Sequence, residues 1–293
     1  MAQNLAQEPA RPTAPSPTII MSEPGFTWSE LTKLTPWGPI VYQTNEVTSV
    51  FDLAWSTLEL DKAPPWTSLL AESQTHGRGR QGRKWVSPVG HVYAAIKLPN
   101  QRPFEGTLAS VALGFALTQA LRDEGVEVGL KWPNDLLTPL GKAGGILLEN
   151  RKGALVAGIG LNLGSSPFPS ELRDPLAPPA AAFPARLGSP KELWPRLAKN
   201  ILIRYNDDFL ARDPDWARTF CALAEKSLAG LGQVVTIHQP VAEPRVSGLS
   251  LTGRLMGLAP SGALRVEGPD GEISVWSGTL TLPNRARDAW PHD

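Results

Sequence analysis

A short glycine–arginine loop is the segment of the chain best equipped to bind an anion. Residues Gly77–Trp85 (GRGRQGRKW) carry four fixed positive charges and no acidic residue. Guanidinium groups bind phosphate or carboxylate oxygens in pairs, and glycines let the backbone approach a ligand closely. Such a loop can close over an anion and exclude water. A solvated turn or an RNA-binding segment is the alternative, but the apolar strands expected on either side favour a site built into a fold.

Three further segments combine glycines with single polar side chains. They are Lys131–Asp135 (KWPND), Gly141–Glu149 (GKAGGILLE) and Gly158–Asn162 (GIGLN). Asp135 could orient a lysine or help to hold Mg²⁺, and Lys142 could supply a compact cation where a carboxylate attacks a phosphate. Asn162 offers a donor and an acceptor, and the small residues before it would let a ligand pack on the strand. Taken singly, each segment also fits an ordinary turn, a solvated lysine or a core strand.

Several catalytic motifs are absent from the sequence. There is no G-x-x-x-x-G-K-[ST] phosphate loop, no G-x-G-x-x-G that opens a predicted helix and no G-x-S-x-G nucleophile turn. The four histidines show no metal-ligand spacing. A cationic, glycine-lined pocket without a protein nucleophile suits the adenylation of a carboxylate, because positioning and charge neutralisation supply most of that catalysis.

Strands and helices must position these residues. Runs of apolar β-formers predict strands over residues 67–72, 91–98, 128–131, 145–150 and 154–163. Residues 107–122 are apolar nearly all round, which predicts a well-buried helix. Ser189-Pro190-Lys191-Glu192 predicts a capped helix start, and Asp213-Pro214 predicts another. The seven prolines of residues 164–190 predict a long, mobile surface loop.

The two ends of the chain differ from its middle. After Gly230 the pattern changes to short strands, with hairpin turns at Pro260-Ser261-Gly262 and Pro269-Asp270-Gly271, which predicts a small β-barrel. The five prolines of residues 1–25 predict a disordered leader. The total of 293 residues is enough for one large domain and one small domain.

The charge balance argues against a protein drawn as a whole to nucleic acid or membrane. The chain has 28 basic and 28 acidic residues, so any phosphate binding needs a local cluster. No apolar stretch reaches the ~18 residues of a membrane span, and the N-terminus lacks secretion features. The single cysteine, Cys221, excludes an intrachain disulfide and is expected to be a buried structural thiol. These features predict a cytoplasmic protein.

In combination, the segments closely resemble one family, the biotin–protein ligases, also called biotin–[acetyl-CoA-carboxylase] ligases. The resemblance rests on the order and spacing of Glu72-Ser73-Gln74 with the glycine–arginine loop, Lys131–Asp135, Lys142–Glu149 and Gly158–Asn162. It implies an α+β fold with two parts. A mixed β-sheet with helices, like that of class II aminoacyl-tRNA synthetases, would cover residues 38–227, and a C-terminal SH3-like β-barrel would cover residues 228–285.

The resemblance also implies the reaction. Biotin and ATP, with Mg²⁺, would give biotinyl-5′-AMP and pyrophosphate, and a lysine of the biotin carboxyl carrier protein would then attack the mixed anhydride. The implied partner is this carrier protein, and neither DNA nor a membrane is expected as a partner. About 25 proline-rich residues are too few for the helix-turn-helix module of some family members. A homodimer is compatible with the sequence.

By the same resemblance, single residues take roles. The catalytic residues would be Lys142, Arg80 and Arg83. The biotin site would comprise Ser49, Gln74, Gly77, Arg78, Gly79, Arg80, Trp85, Lys142, Gly144 and Gly145. The ATP site would comprise Arg78, Arg80, Arg83, Trp85, Lys131, Asn134, Asp135, Lys142 and Asn162, with Asp135 also as a metal ligand.

One turn departs from the family pattern, and three alternatives stay open. Where the family has Ser-Thr-Asn, this chain has Ser49-Val50-Phe51, which keeps the first hydroxyl and loses the second hydroxyl and the amide. The alternatives are a lipoate–protein ligase of the same fold, an RNA-binding module and a non-catalytic biotin-binding protein. The glycine–arginine loop argues against the first, the zero net charge against the second, and Arg83 and Lys142 against the third.

Overall fold

The computed structural model describes residues 32–33, 38–57, 63–104, 106, 108–167, 176–209, 214–243 and 249–283. The predicted disordered leader, residues 1–25, lies outside these ranges. Within them the chain forms a mixed eight-stranded sheet with helices, followed by a closed four-stranded barrel. The predicted α+β class with a C-terminal β-barrel is therefore confirmed. No helix in the described ranges is long and apolar enough to span a membrane.

The sheet has the spatial order β1-β2-β3-β4-β8-β7-β6-β5. Its strands are β1 Thr32–Lys33, β2 Val41–Val47, β3 Ser68–Gln74, β4 Val92–Leu98, β5 Gly129–Lys131, β6 Asp135–Thr138, β7 Gly141–Arg151 and β8 Ala154–Leu161. Strands β2 and β3 pair in parallel, and the other described neighbours pair antiparallel. The five strands predicted for this region correspond to β3, β4, β5, β7 and β8.

Helices cover both faces of the sheet. They are α1 Val50–Thr57, α2 Leu108–Asp123, α3 Pro190–Arg204 and α4 Trp216–Glu225. Alternate side chains of β4 enter different cores, because successive strand residues point to opposite faces. Ala94 and Ile96 belong to the core that contains α2 and α3, and Tyr93 and Ala95 belong to the smaller core around α1. Trp85 of the glycine–arginine loop packs against this smaller core.

The sequence signals for two helices are confirmed. Twelve residues of α2 are buried, as expected for a helix that is apolar nearly all round. At the start of α3, Ser189 is the N-cap and its N–H donates to Glu192 Oε2 at 2.9 Å, which completes the predicted capping box. Pro190 occupies the first helical position, where a missing N–H costs nothing.

Two expectations need correction. The helix predicted to begin at Asp213-Pro214 begins at Trp216 with Asp215 as its N-cap. The loop predicted to be mobile over residues 164–190 is partly built into the fold, because Phe183 and Leu187 are buried and Ala180 pairs with Lys142. The apolar residues between its prolines explain the difference, since they add to the core. Residues 168–175 lie outside the described ranges.

The barrel closes in the order β10-β11-β12-β9, with strands β9 Val234–Glu243, β10 Ser250–Leu258, β11 Leu264–Gly268 and β12 Gly271–Thr281. Side-chain contacts connect it to the part of the chain that contains the eight-stranded sheet. Trp132 Nε1 donates to Gly262 O at 3.0 Å in the β10–β11 turn, and Glu225 Oε1 accepts from Leu258 N at 2.7 Å. The barrel is thereby connected directly to the KWPND turn.

Candidate active site

The glycine–arginine loop, the KWPND turn and strands β7 and β8 enclose a cavity of about 800 Å³. The barrel closes one side through Gly278, Thr279 and Leu280. The structure brings together nearly all residues predicted to form the site. Those that line the cavity are Ser49, Gln74, Arg78, Gly79, Arg80, Arg83, Trp85, Lys131, Asn134, Asp135, Lys142, Gly145 and Asn162. Gly77 and Gly144 do not line it.

The glycine–arginine loop is a short hairpin closed by backbone hydrogen bonds. Gly79 N donates to Arg83 O at 2.7 Å, and Trp85 N donates to Gly77 O at 2.8 Å. A Cβ on Gly77 would lie 2.5 Å from Ser87 Oγ and from Trp85 O. Gly77 is therefore required by the loop's own packing, which explains its place in the motif without a ligand contact.

Arg80 links the loop to the KWPND turn. Its Nη1 donates to Asn134 Oδ1 at 3.0 Å, and Asn134 Nδ2 donates to Ile146 O at 2.8 Å. Burial lowers the pKa of Arg80, partly offset by the nearby Asp135 carboxylate, but a guanidinium stays charged in proteins. Asn134 thus holds a permanent cation at the cavity wall.

Asp135 holds two lysines at the same wall. Its Oδ1 lies 2.7 Å from Lys142 Nζ and its Oδ2 lies 3.1 Å from Lys131 Nζ. Burial alone would raise the pKa of Asp135, but the two lysines more than offset it and hold the pKa at about 2. Asp135 is therefore ionised at neutral pH and fixes the amine of Lys142 in the cavity.

The same geometry does not fit the predicted role of Asp135 as a ligand to Mg²⁺. Both carboxylate oxygens already contact ammonium groups. Asp135 is instead the residue that orients Lys142.

The glycines of β7 and β8 make room for aromatic side chains of the protein itself. A Cβ on Gly160 would lie 2.6 Å from Trp85 Cε2, and one on Gly145 would lie 3.2 Å from Trp85 Cζ3. A Cβ on Gly158 would lie 2.8 Å from Phe51 Cδ2. Small residues were expected here so that a ligand could pack on the strand. In the structure these glycines seat Trp85 and Phe51, whose rings then line the cavity.

The apolar end of the cavity lies at the start of α1. Gln74 is predicted to hold biotin, but both ends of its amide are used within the protein. Its Oε1 accepts from Val50 N at 2.9 Å and its Nε2 donates to Ser87 Oγ at 2.9 Å. Ser49 is 2% exposed, and its hydroxyl has no hydrogen-bond partner among the described residues. Ser49 is therefore the polar group at this end that is available to a ligand after a small movement.

Asn162 connects the cavity to the segment after residue 175. Its Nδ2 donates to Ala181 O at 2.9 Å, and Lys142 N donates to Pro179 O at 2.8 Å. Leu176, Ala177, Pro178 and Ala180 consequently line the cavity. Asn162, predicted on the ATP side, anchors this segment beside the fixed Lys142.

Two residues outside the cavity lining that pair with a loop arginine, and three that line the cavity, were not singled out in the sequence. Asp52 and Glu149 both pair with Arg78, although they lie in a helix and a strand far along the chain. Gly278–Leu280 belong to the barrel and show no motif. An acidic residue directly after the Ser49 turn was the one available hint for Asp52.

Comparison with solved structures identifies the class of fold. Biotin protein ligase from Aquifex aeolicus, in complex with biotin and ATP, is 26% identical with a TM-score of 0.64, over 83% of this chain and 98% of that chain. Biotin protein ligase from Leishmania major, in complex with biotin, is 25% identical with a TM-score of 0.52, over 82% and 99% of the two chains. The fold of this chain is therefore that of the biotin protein ligases.

The sequence comparisons identify the family. The model of the biotin/lipoate A/B protein ligase family matches residues 37–166. A biotin–[acetyl-CoA-carboxylase] ligase of Paracoccus denitrificans is 31% identical over 223 residues, which are 69% of this chain and 85% of that protein. The bifunctional ligase/repressor BirA of Bacillus subtilis is 36% identical over 127 residues, which are 39% of this chain and 38% of that protein. The chain belongs to the biotin/lipoate A/B protein ligase family, and the comparisons support biotin ligation.

Proposed function

We propose that the protein activates biotin with ATP and transfers it to a lysine of a biotin carboxyl carrier protein. The observation that carries the proposal is the fixed amine of Lys142. Asp135 holds it 2.7 Å away in a cavity that also contains Arg80 and Arg83. Three cations beside an apolar compartment suit a substrate with a carboxylate at one end and a neutral ring at the other.

In the first step, a carboxylate oxygen of biotin attacks the α-phosphorus of ATP. The bond to the β-phosphate breaks, and biotinyl-5′-AMP and pyrophosphate form. Lys142 would neutralise the approaching carboxylate and α-phosphate, and Arg80 and Arg83 would neutralise the remaining phosphates. Because Asp135 and Asn134 already fix Lys142 and Arg80, these cations need little reorganisation when negative charge develops.

In the second step, the amine of the carrier lysine attacks the acyl carbon of the mixed anhydride. AMP leaves, the amine loses a proton, and an amide bond forms. No nucleophilic side chain of this protein enters either bond, which agrees with a cavity lined by cations, glycines and aromatic rings. Orientation of the two reactants is then the main contribution of the protein.

The experiment is exchange of labelled pyrophosphate into ATP by the purified protein. We expect exchange that needs biotin, and a loss of about 10²–10³-fold in Lys142→Ala, the size typical for removal of one transition-state contact. Lys199→Ala is the matched control, because Lys199 is an exposed lysine of α3. A folded protein that shows no exchange with biotin would overturn the proposal.

The same assay distinguishes the nearest alternative, since the family also includes lipoate ligases. Lipoate replaces biotin in a parallel reaction. Exchange that needs lipoate instead of biotin would assign the protein to that branch. Transfer of labelled biotin to a purified biotin-accepting domain then tests the second step.

A further inference from the structure

Arg78 differs from the other cations of the loop in the direction of its side chain. Its guanidinium pairs with Asp52 of α1 and lies 3.8 Å from Glu149 of β7. It also lies over the ring of Phe51, with Cζ 5.3 Å from the ring centroid. Arg80, by contrast, reaches toward Asn134 at the other end of the cavity. The loop therefore directs its cations to two different places.

The two carboxylates belong to elements outside the loop, and Glu149 is itself held in position. Glu149 Oε2 accepts from Arg151 Nη2 at 2.7 Å, and Arg151 lies 4.7 Å over the ring of Trp55. Trp55 packs edge-on against Phe51. Arg151, Trp55 and Phe51 therefore form a chain of contacts that connects Glu149 of β7, through α1, to Arg78.

Fixing the Arg78 side chain also fixes the loop. Arg78 pairs with Lys84 across the hairpin, so its backbone is part of the closed base of the loop. The cavity beneath this base is lined by Val50, Phe51 and Leu147. Arg78 is partly exposed above this apolar compartment, and the two carboxylates beside it limit the directions in which its side chain can point.

We propose that Asp52 and Glu149 form an acidic latch that holds Arg78 over Phe51 and keeps the loop closed on the apolar end of the cavity. Asp52 and Glu149 are positioning residues, because they act through Arg78. The part of the inference that concerns the ligand rests on the proposed function, and it assigns the ring of biotin to the latched end. The latch then controls how long the acid stays bound, and leaves the cations of the adenylation step unchanged.

The test uses the double variant Asp52→Asn/Glu149→Gln in the full chain. Asp123→Asn is the matched control, because the Asp123–Arg204 ion pair has similar exposure, 43% and 34% against 38% and 36% for Asp52 and Arg78. Circular dichroism and urea unfolding check that each variant is folded. The conservative variant Asp52→Glu keeps the carboxylate beside Arg78, so its trypsin cleavage and biotin dissociation should match those of the original protein.

Two readouts separate the latch from the proposed function. Without ligand, trypsin should cleave within residues 78–84 about 1.5- to 5-fold faster in the double variant, because weak surface ion pairs correspond to factors of this size. With labelled biotin, dissociation should accelerate by a similar factor, while pyrophosphate exchange at saturating biotin and ATP stays within about twofold.

Three outcomes test the latch, the proposed function and the position of the biotin ring separately. Trypsin cleavage and dissociation that equal those of Asp123→Asn would overturn the latch. Faster cleavage in the double variant of a protein that does not bind biotin would support the latch and overturn the proposed function. Faster cleavage with unchanged biotin dissociation would overturn the assignment of the ring to this end.

Discussion

The Asp135→Asn substitution tests how the site holds its lysines. The change keeps the size and shape of the side chain and removes its charge. Lys131, which is 5% exposed, and Lys142 would then face each other without the carboxylate between them. We expect lower stability, together with slower adenylation, because Lys142 loses the contact that orients it.

The magnitude follows from the pKa of Asp135. The fall from 3.8 to about 2 corresponds to about 2 kcal/mol of stability at neutral pH, at ~1.4 kcal/mol per pH unit. Removal of one partner from a fully buried ion pair costs roughly 3–5 kcal/mol. Lys142 is 26% exposed and can turn toward water. We therefore expect a loss in the free energy of unfolding of about 2–4 kcal/mol.

The free energy of unfolding should depend on pH in a direction that the lowered pKa of Asp135 determines. The pKa of Asp135 is lower in the folded protein than in the unfolded chain, so its contribution is complete above pH ~4 and is lost as pH falls toward ~2. The difference between the original protein and Asp135→Asn should be constant at neutral and mildly acidic pH. Below pH ~4 the difference should narrow, because Asp135 of the unfolded original chain then binds a proton while Asp135 of the folded protein stays ionised, and this stabilises the unfolded state.

Urea unfolding at a series of pH values measures this difference. Asp123→Asn again serves as the control, since it breaks an exposed ion pair with Arg204 and should cost less than about 1 kcal/mol. The reasoning is refuted if Asp135→Asn costs no more than Asp123→Asn. It is also refuted if the cost stays the same down to the lowest pH at which both proteins fold.

Three further substitutions test other parts of the site. In Gly160→Ala the new methyl group meets Trp85 at about 2.6 Å, so we expect the free energy of unfolding in urea to fall by roughly 1–3 kcal/mol. Biotin binding measured by calorimetry should also become weaker. Unchanged binding would contradict the close packing. Trp132→Phe removes the donor to Gly262 O, and we expect faster amide hydrogen exchange in the β10–β11 turn with a loss of about 1 kcal/mol; unchanged exchange would show that this bond does not fasten the barrel. Ser49→Ala should leave the urea midpoint unchanged or higher, because it removes a buried hydroxyl without a described partner. The affinity for biotin should fall by about 5- to 20-fold. Equal affinity would exclude Ser49 from the binding site.

The elements could be predicted where sequence and local physics agree. The apolar surface of α2 and the Ser189–Glu192 capping box are both determined by neighbours along the chain. The glycine–arginine loop was recognisable because its composition differs so strongly from that of the strands around it.

Tertiary partners could not be predicted in the same way. Asp52 and Glu149 approach Arg78 only because α1 and β7 pack beside the loop. The glycines of β8 allowed two interpretations in the sequence, a ligand packed on the strand or an ordinary core strand. In the structure Trp85 and Phe51 pack against them, and these rings come from distant segments that the local sequence could not indicate. Similarly, the prolines of residues 164–190 predicted a mobile loop, whereas Phe183 and Leu187 between them are buried by packing that only the fold provides.

The one cysteine of the chain stands at the junction between α4 and the barrel. Cys221 is 2% exposed, and its thiol donates to Ala259 O at 3.2 Å in the turn after β10. Burial raises the pKa of this thiol to about 11, so it should react with a thiol reagent only when the junction opens. The rate at which a chromogenic disulfide labels Cys221 therefore reports how often the barrel detaches from α4. Ligands that contact both the barrel and the rest of the cavity wall should slow the labelling of Cys221, and the measurement needs no engineered probe.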